Sequence, residues 1–331
     1  MAPRHCLAGK KSCSYARKEP SPFSSPPCFS YVRKEPSPFS TPRCCSYVRK
    51  EPSDADRRER YSSVVHNYSI LFTFVSVNTT NRYFLEITFD GRAYHGWQVQ
   101  PNARTVQQEV DRVLGILLRQ NINTVGCGRT DTGVHATQLY AHFDTDKTLV
   151  PEEVPKFLYQ LNALLPTDIA AKRLLAVAPQ AHARFDATRR SYEYHLHFHK
   201  DPFLQGRSWL LRDIPDVAAM NAAAEILLQY EDFACFSKSH TQVHTHNCRI
   251  TRAEWHWADG NQQNQLVFYI SANRFLRNMV RAIVGTLLEI GRSEHAPEYM
   301  HTVIQSKDRS VAGVSVPAEG LYLTEVTYPY L

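Results

Sequence analysis

The sequence predicts an α+β fold: two similar α/β halves with antiparallel sheets joined around a central cleft. Three observations carry this reading. Residues 82–90 and 191–199 both alternate apolar and polar positions at the period of a strand, one run early and one later in the chain. Residues 105–120 carry apolar positions at helical spacing. Residues 249–257 and 265–271 form a second strand pair across Asp259-Gly260, a dipeptide suited to a tight hairpin turn.

In the first run, Leu85, Ile87 and Phe89 share one face and Glu86 and Thr88 the other, as in a half-buried strand. Asp90-Gly91 ends it. In the helix that follows, Val106, Val110, Val113 and Leu117 form the apolar face, and Thr105 with Gln108 matches a capping box. Strands are predicted over 140–144 and 169–176, and a helix over 156–164. In the second half Tyr192, Tyr194, Leu196 and Phe198 share a strand face. Helices are predicted over 216–229, 274–290 and 298–305, the second closing at Gly291, and a last strand over 321–328.

The first 80 residues read differently. Tyr15, Tyr31 and Tyr47 each open Tyr-(Ala/Val)-Arg-Lys-Glu-Pro-Ser, so the unit recurs every 16 residues. It holds Pro, Ser and charge but no apolar stripe, and cannot bury enough surface to offset its ordering entropy. Residues 1–80 are therefore read as a disordered, repeat-containing extension, either without a selected function or as a basic tether. The organisation that follows is 81–183 as an N-terminal half and 184–331 as a C-terminal half.

Charge follows the same division. The chain carries +6, of which residues 1–80 hold +7 and the remainder −1. Nucleic-acid binding by the body thus requires a local basic cleft, since bulk charge is absent. Five of the eight cysteines lie in the extension, and only Cys127, Cys235 and Cys248 in the body, which fits a reducing, cytoplasmic setting. No apolar run approaches the length of a membrane span.

The densest chemical signal is Gly126-Cys127-Gly128-Arg129-Thr130-Asp131-Thr132-Gly133-Val134-His135-Ala136. Read alone, it is either a glycine-rich turn capped by an aspartate or a tight loop presenting one carboxylate and one guanidinium. Arg274, Arg277 and Arg281 recur at helical spacing, as a solvated face or as a cationic stripe. Tyr192 fits either a core or a pocket. Cys235, His240, His244, His246 and Cys248 include zinc-ligand types, but their spacing matches no standard structural site.

These blocks together resemble the tRNA pseudouridine synthase A family. The Gly-Arg-Thr-Asp-x-Gly-Val-His pattern matches at residues 128–135, and Asp90-Gly91 with Tyr94, Gly96, Trp97 and Gln98 resembles the family's opening strand and turn. Further agreement lies at Thr105-Val106-Gln107, His182-Ala183-Arg184-Phe185 and Arg189-Arg190-Ser191-Tyr192-Glu193-Tyr194. It continues at 275–281 with Gly285 and at 318–323, so that in family order the resemblance covers about 82–329.

The resemblance implies the pseudouridine synthase fold and the isomerisation of uridine to pseudouridine at positions 38, 39 and 40 of the tRNA anticodon stem-loop. The reaction gains and loses no atoms, so neither cofactor nor metal is implied. Asp131 is the implied catalytic carboxylate and Arg281 its ion partner. Tyr192 is implied to stack on the target base, Arg129 to help extrude it, and Leu323 to line the pocket. Arg189, Arg190, Arg274 and Arg277 are expected to bind RNA, and a homodimer is the implied assembly. Deleting residues 1–80 is expected to leave turnover and tRNA affinity largely unchanged in steady-state kinetics; a large loss of affinity would make the extension a tether.

Overall fold

The computed structural model describes residues 80–238, 244–258 and 264–331. The repeat segment, His240 and the Asp259-Gly260 turn lie outside them. The first half contains β1 (Asn81–Phe89), α1 (Val106–Leu118), β2 (Val125–Gly126), β3 (His135–Thr145), α2 (Val154–Leu164) and β4 (Ile169–Val177). The second contains β5 (Arg189–His197), β6 (Trp209–Leu210), α3 (Val217–Ile226), β7 (Ile250–Trp257), β8 (Gln265–Ala272), α4 (Met279–Gly291), α5 (Tyr299–Ser306) and β9 (Leu321–Thr327).

One nine-stranded sheet joins the two halves in the order β4-β1-β3-β9-β5-β8-β7, with β2 added to β3 and β6 to β5. The long pairings are antiparallel. The seam is parallel and short: β9 meets β3 only at His135–Tyr322 and Ala136–Leu323. On its other edge β9 runs antiparallel to β5, with Leu323 opposite Tyr192.

Each half has its own apolar core. One gathers α1 and α2 against β1, β3 and β4, together with Leu323, Val326 and Tyr328. The other packs α3, α4 and α5 on β5, β7 and β8. Tyr192 borders both. β1 is not simply half-buried as its alternation predicts. Glu86 is 7% exposed, its carboxylate accepting from Gln138, Tyr140 and Arg173, so the polar side of the strand is covered as well. A buried carboxylate persists there because three donors converge on its two oxygens.

The helix α1 forms as predicted. The Thr105 hydroxyl accepts the Gln108 N–H, and Val106, Val110, Val113, Leu114 and Leu118 are buried. Its polar side has a second use. Gln107 and Asp111 stand one turn apart, and both grip Thr124. The Gln107 amide donates to the Thr124 carbonyl at 2.6 Å, while the Asp111 carboxyl accepts the Thr124 N–H at 2.9 Å. Thr124 immediately precedes β2 and the loop carrying Asp131, so α1 sets where that loop begins.

The helix α4 starts later than its spacing predicts. Asn278 adopts a left-handed conformation (φ 67°), which an asparagine tolerates but an α-helix cannot incorporate. Arg274 and Arg277 therefore lie in the segment between β8 and α4, and of the three arginines only Arg281 is on the helix. Helix α4 packs closely on residues 313–316. A Cβ on Gly285 would stand 1.9 Å from the Val314 carbonyl oxygen.

Gly285→Ala should lower stability by about 1–3 kcal/mol through this overlap, read as a shift of the urea midpoint. Burial pushes the Asp111 carboxyl up to about 6 from an ordinary value of 3.8, against the opposing hydrogen bonds from Thr124. The folded state then holds a proton that the unfolded chain has released, so stability falls as pH rises from about 4 through about 6. Asp111→Asn keeps an acceptor for Thr124 and should remove this loss, of order 1–3 kcal/mol. Thermal melts of both proteins across the window should diverge; parallel curves would contradict the assignment.

Candidate active site

The segment from Gly126 to Val134 is a tight loop held at successive points. Cys127 N–H donates to the Tyr140 carbonyl at 2.7 Å, Gly133 N–H to the Tyr94 carbonyl at 3.2 Å, and Val134 N–H to the Asp131 carbonyl at 3.2 Å. Gly96, at φ +85°, lies directly beneath: a Cβ there would stand 2.2 Å from the Thr130 carbonyl oxygen. The opening Gly-Trp-Gln block is thus the floor on which the aspartate loop rests.

From this loop Asp131 meets two cations of the second half. Arg281 Nη1 lies 3.5 Å from Asp131 Oδ2, and Arg277 Nε lies 3.8 Å from Oδ1. Both distances exceed the 2.7–2.9 Å of a tight charge-assisted hydrogen bond. The side chain of Asp131 is 26% exposed. The guanidiniums supply a positive field while leaving the carboxylate oxygens open to a reacting group. Arg281 is braced for this: its Nε donates to the Val316 carbonyl at 2.7 Å, and its own carbonyl accepts the Val316 N–H.

Tyr192 is on β5, its ring edge-on to Phe275 at 5.1 Å between centroids. Its hydroxyl is pushed well above the usual phenol range by burial, to which Cys127 and Asp131 add and which Arg190 opposes. It stays protonated near neutral pH. Leu323, its neighbour across β9, is 1% exposed and packed in the first core.

Two other groups of the loop are spent on structure. His135 is 2% exposed; its Nδ1 accepts the Gly91 N–H at 3.1 Å, so Nε2 carries the proton toward the Gly206 carbonyl, also at 3.1 Å. Burial lowers its pKa, and with both ring nitrogens occupied it offers no base. The buried Cys127 thiol is pushed up to about 11 by desolvation, which removes it as a thiolate nucleophile. Asp131 is left as the ionisable group of the loop facing the cations.

Of the residues singled out from sequence, Asp131, Arg277 and Arg281 come into direct contact, with Tyr192 close enough to feel the carboxylate. Arg129 is exposed on the same loop. Arg189 is not part of this group. Strand alternation turns it to the side opposite Arg190 and Tyr192, where it pairs with Glu325 at 2.9 Å. Arg190 is directed inward and donates to backbone carbonyls. Cys235 and Cys248 are buried in the second core. Sequence reasoning gave no role to Gln107, Asp111 or Phe275, whose contributions depend on contacts between separated segments. Among the described residues no helix is long and apolar enough to cross a membrane.

The sequence profile of the family described as tRNA pseudouridine synthase matches residues 223–329. The tRNA pseudouridine synthase A of Parabacteroides distasonis is 47% identical over 249 residues, covering 75% of this chain and 96% of that protein. That of Bacteroides thetaiotaomicron is 46% identical over 248 residues, covering 75% and 91%. The protein of the same name from Exiguobacterium sibiricum is 36% identical over 248 residues, covering 75% and 97%. With this identity sustained over nearly the whole length of these relatives, the chain belongs to the tRNA pseudouridine synthase A family.

Proposed function

We propose that the protein isomerises uridine to pseudouridine at positions 38, 39 and 40 of the tRNA anticodon stem-loop, with Asp131 as the catalytic carboxylate. The observation carrying the assignment is the approach of Arg277 and Arg281 to an Asp131 whose oxygens stay accessible. In the reaction the N1–C1′ bond breaks, the uracil turns within the pocket, and C5 bonds to C1′. N1 gains a proton and C5 loses one, so composition is unchanged. The Asp131 carboxylate beside C1′ acts as nucleophile or stabilises the developing positive charge of the sugar. Hydrolytic glycosidases need a second carboxyl to activate water. Here the departing base is itself the returning nucleophile.

The other residues divide the remaining work. The Tyr192 ring stacks on the uracil, and its protonated hydroxyl donates within the pocket. Leu323 closes the apolar wall beneath. Arg129 takes the space the uridine vacates; flipping costs a few kcal/mol, which stacking and phosphate contacts offset. Arg274 and Arg277 approach the RNA backbone, and Arg277 shares its charge with Asp131. Residues 81–183 and 184–331 act as the two halves of this site. The protein works as a homodimer in a reducing, cytoplasmic setting, in keeping with the unpaired, buried state of Cys127, Cys235 and Cys248 among the described residues.

Asp131→Ala should abolish pseudouridine formation while tRNA binding persists. Arg281→Gln should lower kcat by about 10²-fold, the scale of losing one preorganised charge contact. Carbodiimide mapping of tRNA incubated with the purified proteins reads both. Normal turnover by Asp131→Ala would overturn the catalytic assignment, and modification outside the anticodon stem-loop would overturn the substrate assignment.

A further inference from the structure

Arg190 has an unusual set of partners for a residue beside a cationic surface. Its Nη1 donates to the carbonyls of Ala187 (3.2 Å) and Asn273 (2.9 Å), and its Nη2 to those of Cys127 (2.8 Å) and Arg184 (2.6 Å). One guanidinium therefore ties together the aspartate loop, the 182–187 segment and the segment leading into α4. Only the planar, multi-donor fork of arginine can do this; an ammonium is a point donor.

Each tied point carries another arginine. Arg184 is itself bound through its carbonyl, Arg274 follows Asn273, and Arg129 lies two residues beyond Cys127. Among the described residues none of these three side chains has an acidic partner, unlike Arg82, Arg92, Arg104 and Arg173 elsewhere on the surface. The 184 guanidinium is held below its ordinary range by burial and by the charges of Arg129, Arg190 and Arg274. It is steadied over the Phe185 ring at 5.8 Å, and that ring in turn stacks on His182 at 4.2 Å. Like charges gathered without counter-charge, on a braced backbone beside the catalytic loop, suit a polyanion.

We propose that Arg184 and Arg274 form a clamp for two neighbouring phosphates of the RNA strand next to Arg129, and that Arg190 is the positioning residue assembling it, not itself an RNA contact. This rests on the reading of the chain as an RNA-modifying enzyme and names the part of that site which grips the backbone.

The test is the salt dependence of unmodified tRNA binding by the full-length chain, alongside steady-state turnover. Each lost phosphate contact should reduce the slope of log Kd against log salt by about 0.7–0.9. Arg184→Gln should reduce it by about one contact and raise KM, and Arg184→Gln/Arg274→Gln by about two. Arg190→Lys keeps its charge, yet should lose about two contacts and also lower kcat, because the Cys127 carbonyl is released. A slope unchanged in Arg184→Gln would overturn the clamp. A slope and kcat retained in Arg190→Lys would make Arg190 a direct contact and overturn the positioning role. Should Arg190→Lys fail to fold, Arg190→Gln in a melt and the two surface variants still decide the clamp. Wild-type turnover separates the two levels: pseudouridine formation with unaltered slopes sinks the clamp alone, whereas altered slopes without any pseudouridine sink the catalytic reading alone.

Discussion

The structure turns on a carboxylate and two guanidiniums that come from different cores. Asp131 and Arg281 stand 150 positions apart and meet because β9 wedges between β3 and β5. The parallel seam with β3 spans two residue pairs at His135 and Ala136, immediately after the aspartate loop. The loop leaves the first half where the second begins. A charge at such a junction can be supplied with opposite charge by one half while its backbone is fixed by the other.

The holding of the loop explains why its remaining polar groups are unavailable for chemistry. Its backbone is satisfied by Tyr94 and Tyr140, its entry by Gln107 and Asp111 of α1, and its flank by Arg190. His135 bonds on both ring nitrogens, and the Cys127 thiol is desolvated. A preorganised carboxylate needs this support, because small displacements of a reacting group are costly. Among the described residues the Asp131 oxygens, by contrast, have only long contacts, with Arg281 at 3.5 Å and Arg277 at 3.8 Å.

Much of the fold was legible locally. The Thr105 cap, the apolar face of α1 and the alternation of β5 each encode a short-range preference, and each appears near its predicted bounds. Two local readings were overturned, the start of α4 and the exposure of Glu86. The spacing of Arg274, Arg277 and Arg281 suits a helix, but Asn278 takes a left-handed conformation, so two of the three lie in a connecting segment. Glu86 alternates as a solvent-facing residue yet is buried, because Arg173, Gln138 and Tyr140 converge on it from β4 and β3. Arg189 and Arg190 are neighbours of one type. The pleat sends the first to Glu325 and the second to four carbonyls.

The sequence by itself determined the element types, the α+β class and, through the order of its motif blocks, the family and the identity of the aspartate loop. These depend on residue chemistry and spacing within short windows. Tertiary structure decided which cations reach Asp131, which arginines are free for a polyanion and which are spent on backbone, and that β9 joins the halves. Those outcomes arise from pairings between separate segments of the chain, 150 positions apart for Asp131 and Arg281 and 63 for Arg190 and Cys127, where register and strand side select the partner and no local pattern records the choice.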